Sequence, residues 1–165
     1  MFFILDSYFK QYKNTNDYQT NGINPYLSSM KVCGIELKAN EARIVALDGR
    51  IEDFEMLKLD FTKLKLEDPK SQDAVKDFYV TITNLFAIQK FDKIAIKERI
   101  MKGRFKGGPL SFKMETLIQM VDEPVEIVHS ARVKSKIKDV DVSFDDLKKF
   151  QEEAFRVALY LLVEE

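Results

Sequence analysis

The sequence predicts one α/β domain from about residue 30 to the C-terminus, with a five-stranded mixed sheet and helices on both faces. Three short strand patterns come first, and a four-residue link typical of a hairpin joins the first two. The order then alternates as helix, strand, helix, strand, helix, which is typical of parallel pairing. The length of 165 residues suits one domain of this kind.

The three opening strands are predicted from their apolar residues. Residues 31–37 and 42–47 are mostly apolar, as expected for strands that are buried in a sheet. Leu57, Leu59 and Phe61 alternate with polar residues, which is typical of a half-buried third strand.

The middle of the chain carries clear helix signals. Ser71 is a predicted N-cap for an amphipathic helix over residues 72–90. Residues 91–96 lack polar alternation, so we expect a fourth strand that is covered on both faces and lies beside the first. Pro109 fits the first turn of a second helix, and residues 124–129 form the fifth predicted strand.

The last helix is predicted to follow a lysine-rich connection over residues 130–142. Ser143 and Asp146 resemble a capping box in which Asp takes the place of Glu, and therefore predict where this helix begins. His129 is the only histidine, and we expect it to have a capping or structural role.

Residues 1–29 differ from the rest of the chain because no strand or helix period stands out in them. Three alternatives are open: a poorly ordered extension, a start assigned too early with Met30 as the true start, or a structured arm. No apolar run approaches the roughly 20 residues that span a bilayer. With Cys33 as the only cysteine, the sequence predicts a soluble cytoplasmic protein without a membrane partner, and it leaves the oligomeric state open.

The charges nearly cancel, since 26 Lys and Arg face 27 Asp and Glu. This balance excludes a strong basic field over the whole surface of the kind that drives non-specific nucleic-acid binding. Any site for a polyanion therefore has to be local.

Two acids in otherwise apolar strands are the candidate catalytic residues. Glu36 lies in the first strand and Glu98 ends the fourth, so parallel neighbours would bring both carboxylates to the sheet edge where α/β proteins place ligands. Mg²⁺ or Mn²⁺ would relieve their repulsion, because both ions prefer oxygen ligands. Alternatively, both acids are strand-end charges that face water. A third ligand would come from the last helix, where Glu152 and Glu153 flank the apolar face.

A glycine-rich basic loop follows the fourth strand. Lys102, Arg104 and Lys106 could contact phosphates there, and Phe105 could stack on a base. The loop lacks the Gly-Lys-Ser/Thr ending of a P-loop. A solvated loop without a ligand is the alternative.

Several short motifs, taken together, resemble a bacterial family of unknown function, the domain family numbered 3010. The resemblance spans about residues 31–163, and this family is grouped with RNase H-like proteins near the RuvC-type resolvases. The motifs are Val32-Cys33-Gly34-Ile35-Glu36-Leu37-Lys38, Ile96-Lys97-Glu98-Arg99, Lys102-Gly103, Gly107-Gly108, Phe112-Lys113, and Phe150-Gln151-Glu152 with Ala154-Phe155.

The resemblance implies a two-metal nuclease that hydrolyses nucleic-acid phosphodiesters. RuvC-like nucleases place one acid in the first strand, one at the end of the fourth and one or two on the last helix. These positions fall on Glu36, Glu98, and Glu152 or Glu153, with Glu36 standing where Asp is usual. Contacts to nucleic acid would come from the basic loop and from Lys113.

Three functions follow. The first is a Mg²⁺- or Mn²⁺-dependent nuclease, and the second is a non-catalytic RNase H-like module that binds nucleic acid or a protein. The third, an ATPase of the sugar-kinase and actin-like branch, ranks last because the first hairpin loop lacks the Gly and Thr that meet phosphate. A lysine or arginine bonded to Glu36 or Glu98 would favour the module, whereas carboxylates within about 4–6 Å of one another would favour the metal site.

Overall fold

The computed structural model describes residues 29–99, 108–143 and 147–163. The predictions for residues 1–28, for the loop at 100–107 and for Asp146 therefore lie outside the described residues. Along the described chain the elements are β1 (Met30–Lys38), β2 (Glu41–Arg50), β3 (Asp53–Met56), β4 (Lys63–Lys65), α1 (Gln72–Gln89), β5 (Lys93–Lys97), α2 (Pro109–Gln119), β6 (Val125–Val128), α3 (Ser130–Lys136) and α4 (Glu152–Val163).

The strands form one mixed sheet in the order β3-β2-β1-β5-β6, and β4 also pairs with β2. The β1–β2 pair is antiparallel, whereas β1–β5 and β5–β6 are parallel. This topology confirms the predicted fold class, including the central pairing of the first predicted strand with the fourth.

Helices cover both faces of the sheet, as predicted. Cys33, Ile35 and Leu37 of β1 are buried against α1 and α2 on one face. Met30 and Val32 alternate with them and are buried with α3 and α4 on the other face. Nearly all of α4 from residue 154 to residue 162 is buried, which explains why it is more apolar than a surface helix. In the described part of the chain, no helix has both the length and the apolar character needed to cross a bilayer.

The third predicted strand is wrong in position, because residues 57–61 lie between two shorter strands. The backbone N–H of Leu57 donates to the Ala46 carbonyl at 2.9 Å, and the ladder resumes where Ile44 N–H donates to the Thr62 carbonyl at 3.0 Å. The chain between these bonds leaves β2, so the edge holds β3 and β4 and the sheet has six strands. The alternation of apolar and polar residues over 57–61 reflects burial and not strand pairing, since Leu59 is buried in the core.

The helix caps agree in part with the prediction. The Ser71 hydroxyl accepts from Ala74 N–H at 3.3 Å, and Pro109 lies in the first turn of α2. His129 caps α3, where its Nδ1 accepts from Ala131 N–H at 3.1 Å. The last helix begins later than the capping-box pattern predicts, because residues 148–151 form a turn that precedes α4.

Gly34 lets α4 lie directly on the central strand. A Cβ at this position would be 2.1 Å from the Ala154 carbonyl oxygen and 2.4 Å from the Ala158 nitrogen. Both atoms belong to the backbone of α4, so a side chain on β1 could be accommodated only by moving the helix. The distance from α4 to the sheet therefore depends on this glycine.

We expect Gly34→Ala to destabilise the domain by about 1–3 kcal/mol or more, because the added methyl group overlaps helix backbone. Gly108→Ala is the control, since a Cβ there meets no described atom within 4 Å, and its effect should stay below about 1 kcal/mol. Urea unfolding measures both variants. Equal stabilities for the two alanine variants would show that α4 does not pack this closely on β1.

Candidate functional site

Strand register aligns four charged side chains along the end of the sheet at which β1 and β5 terminate. Glu36 pairs with Arg43 between β1 and β2, and Arg43 pairs with Lys63 between β2 and β4. The β1–β5 register reaches Ile35 and Ile96, so its continuation by one residue brings Lys97 beside Glu36. Cross-strand partners point to the same face. Lys97, Glu36, Arg43 and Lys63 thus form what we call the charged row, on the face that α4 covers.

Arg43 holds Glu36 and a second acid. Its Nη1 donates to Glu36 Oε2 at 3.3 Å, and its Nε donates to Glu41 Oε2 at 3.3 Å. All three side chains are only 15–17% exposed, so water screens these charges poorly. One guanidinium is thus shared between two half-buried carboxylates, so these three side chains carry a formal charge of −1.

The continued register puts Lys97 beside Glu36 on the sheet, and the ammonium group of Lys97 bonds to the last helix. Its Nζ donates to Glu153 Oε2 at 2.5 Å, while Arg156 Nε lies 3.5 Å from Glu153 Oε1. Burial raises the pKa of the Glu153 carboxyl, but the hydrogen bond and charge of Lys97, with the charges of Arg156 and Lys134, outweigh burial. The net pKa of Glu153 therefore lies below its ordinary value, and the group is a carboxylate held by cations.

Glu98 contacts a different part of the sheet from Glu36. Its backbone N–H donates to the Val128 carbonyl at 2.8 Å, and its Oε2 lies 3.9 Å from His129 Nε2. These partners belong to β6 and the start of α3, whereas the partner of Glu36 belongs to β2. The two strand acids thus contact residues on opposite sides of the β1–β5 pair. Because the register brings Lys97 to Glu36, Glu98 is one residue too far along the chain to be its direct neighbour.

In this structure, two of the predicted metal ligands, Glu36 and Glu153, are held by cations of the chain itself. A divalent ion needs free carboxylate oxygens, yet Glu36 accepts from a guanidinium and Glu153 from an ammonium group. Glu152 shares the first turn of α4 with Glu153, where a carboxylate stabilises the helix dipole. Among the residues that the structure describes, no three His, Cys, Asp or Glu side chains group as metal ligands.

An aromatic ring lies at the far end of the charged row. Lys63 Nζ is 3.9 Å from the centre of the Phe150 ring, and Arg43 Cζ is 6.0 Å from it. Such cation–π contacts hold the ring and both cations together just before α4 begins. Sequence reasoning missed Arg43, Lys63 and Lys97 as site residues, although the hairpin register was a signal for the first of them.

The predicted nucleic-acid contacts are only partly described. Lys102, Arg104, Phe105 and Lys106 lie outside the described residues. Lys113 is on α2, and its ammonium group donates to the Pro69 carbonyl. The residues that flank the loop are structural: the Arg99 guanidinium lies 3.4 Å from the centre of the Phe112 ring, and it pairs with Glu115.

Comparison with known proteins supports the architecture. A family model described as "Protein of unknown function (DUF3010)" matches residues 30–161. The structure of Thermus thermophilus RuvC is similar at a TM-score of 0.62 and 12% identity, over 81% of this chain and 94% of that one. T. thermophilus RuvC in complex with a Holliday junction substrate gives 0.59 and 13%, over 81% and 93%. Among curated proteins, none matches the chain. The similarity to RuvC shows an RNase H-like fold.

The Lys97–Glu153 contact makes stability depend on acidity. Because the folded pKa of Glu153 is lowered from 4.5, its contribution is fully present above that pH and is lost as the pH falls through the folded pKa. We expect Glu153→Gln to be less stable than wild type at neutral pH, and to lose less stability on acidification below about pH 4.5.

Thermal unfolding between neutral and strongly acidic pH measures this difference. Glu152→Gln removes a carboxylate from the same helical turn without touching Lys97, and so controls for the helix dipole. If Glu153→Gln and wild type lose stability in parallel as the pH falls, Lys97 does not hold Glu153 in solution.

Proposed function

Because the chain belongs to the DUF3010 family and has an RNase H-like fold, we propose that it is a nucleic-acid-binding module that does not cleave its ligand. The observation that carries the proposal is the occupation of the acids by the chain's own cations. Lys97 and Arg43 stand on either side of Glu36, and Lys97 also bonds to Glu153. These are the positions at which a metal-dependent enzyme would keep carboxylates free.

Phosphodiester hydrolysis by two metal ions needs carboxylates that bridge the ions and position them closely. At Glu36, a carboxylate oxygen already accepts from a guanidinium, and an ammonium group follows in the row. A positive charge beside Glu36 lowers the electrostatic demand for a further cation there. The arrangement therefore supports binding of a polyanion more directly than it supports catalysis.

The local charge favours an anionic ligand even though the whole chain carries −1. The cations joined at this edge are Lys97, Arg43, Lys63, Arg156 and Lys134, and the acids among them are Glu36, Glu41 and Glu153. Within this set of contacting side chains the cations exceed the carboxylates by two, and Glu98 and Glu152 lie outside the set. Backbone phosphates suit such a surface, and their affinity for it would fall as salt is added.

Two further observations favour nucleic acid over a protein ligand. Phe150 lies beside the Lys63 ammonium group, and an aromatic ring next to a cation suits a base that stacks while its phosphate is held. RuvC, which shares this fold, has been solved in complex with a Holliday junction substrate. We therefore propose branched or single-stranded DNA as the ligand to examine first.

A Mg²⁺- or Mn²⁺-dependent nuclease is the competing proposal. Glu36, Glu98 and Glu152 or Glu153 would be its ligands and catalytic acids, and the basic loop with Lys113 would contact nucleic acid. Its support is the RuvC-like fold and the presence of acids near the ends of β1 and β5 and at the start of α4. This proposal requires Glu36 and Glu153 to exchange their cationic partners for metal.

The two proposals differ in a binding and cleavage assay on fluorescent branched, duplex and single-stranded DNA. We expect the protein to bind DNA in the presence of EDTA, with an affinity that falls as salt is added. We also expect that wild type and Glu98→Gln show no difference in Mn²⁺-dependent cleavage. Lys63→Glu should weaken binding roughly tenfold because it reverses a charge in the row. Lys76→Glu is the matched control, since Lys76 is exposed on α1 across the sheet.

Cleavage in Mn²⁺ that Glu98→Gln abolishes would replace the module by the nuclease. Failure to bind any of the DNA forms, or equal losses for Lys63→Glu and Lys76→Glu, would reject the charged row as a nucleic-acid surface. A protein ligand would then be the remaining form of the module.

A further inference from the structure

A small cleft between α3 and α4 continues the basic edge beyond the charged row. It opens at the end of β5, where Lys97, Lys134 and Arg156 surround Glu153. Ser130, the first residue of α3, also lines it, and Val133 and Val157 form apolar walls. The cleft thus combines three cations, one carboxylate and a hydroxyl group in one concave place.

The positive charges in the cleft exceed what Glu153 can neutralise. Lys97 and Arg156 both contact its carboxylate, and Lys134 is close enough to lower its pKa. Three cations around one carboxylate leave a formal charge of +2 in the lining. Lys97 and Arg156 are only 24% and 34% exposed, and the two valines limit water on one side. An anion in such a partly desolvated place is attracted more strongly than on an open surface.

We propose that this cleft binds one phosphate group, and that the group is a backbone phosphodiester of the nucleic acid held by the charged row. The source of the phosphate rests on the proposed function, whereas the existence of the site does not. The cleft has a volume of about 10 Å³, which is room for one water-sized atom. One phosphate oxygen enters it, and the other oxygens stay at the rim, where Lys134 and the Ser130 hydroxyl are available as donors.

The position of the cleft explains why one ligand would contact both surfaces. Lys97 belongs to the charged row and also lines the cleft, so the two surfaces share a side chain. A nucleic-acid strand that runs along this end of the sheet from Phe150 past Arg43 would reach Lys97 and then the opening between α3 and α4. The cleft thus supplies a fixed point for a backbone that the exposed Lys63 alone would hold loosely.

Amide chemical shifts of the full-length protein test the proposal, with inorganic phosphate and a single-stranded oligonucleotide as separate probes at constant ionic strength. We expect both probes to shift the amides of Ser130, Lys134 and Arg156. Lys134→Glu should lower the affinity for inorganic phosphate about tenfold. Lys136→Glu, on the same helix but outside the cleft lining, should leave that affinity unchanged.

The two probes separate the inference from the proposed function. Shifts at the cleft with phosphate but not with the oligonucleotide would support a site for free phosphate groups and reject the nucleic-acid source. Oligonucleotide binding without shifts at the cleft from either probe would overturn the cleft while leaving the module intact. Equal phosphate affinities for Lys134→Glu and Lys136→Glu would also overturn it.

Discussion

The parallel pairing of β1 and β5 decides what stands beside Glu36, and the rest of the site depends on that neighbour. Continued by one residue past Ile35 and Ile96, the register brings Lys97 to this position and leaves Glu98 one residue further along. An ammonium group next to a carboxylate attracts it, whereas a second carboxylate would repel it and require a metal ion. If Glu98 stood at this position, the two carboxylates would require a divalent ion. Because the register places Lys97 there, the site carries its own cation.

Close packing of the last helix completes this arrangement. Gly34 has no side chain, so α4 lies against β1 and places Glu153 within reach of Lys97. Partly buried ion pairs of this kind gain little net stability, because desolvation offsets much of their attraction. Removing one partner is costly, however, since the other charge is left without compensation. The pairs therefore fix positions at the sheet edge more than they stabilise the fold.

Local sequence patterns determine much of the fold, and much of it could therefore be predicted from the sequence. Apolar patterns and caps such as Ser71 report local physics, so the first hairpin, the central β1–β5 pair and α1 were predicted correctly. Residues 57–61 were misassigned because alternation reflects burial, and burial does not require a hydrogen-bonded neighbour. The start of α4 was missed because a turn precedes it.

The site was harder to predict than the fold. The short link after Lys38 pairs it with Glu41, and that register leads by simple counting to Glu36 beside Arg43. The β1–β5 register has no such local marker, because a long crossover separates these strands, and it emerges only from packing. The spacing of residues in the sequence therefore could not predict whether Lys97 or Glu98 faces Glu36. The resemblance to RuvC-type proteins pointed to the correct fold, and it could not show which cations occupy the acids.

The most direct test is a Mn²⁺ titration of wild type and Lys97→Glu, followed by paramagnetic broadening of backbone amide signals. If built-in cations take the place of metal, wild type should show no selective broadening around Glu36 and Glu153. Lys97→Glu, which replaces the ammonium group by a carboxylate, should show selective broadening of these amide signals. Selective broadening at these positions in wild type that Glu36→Gln removes would show that the acids bind metal after all.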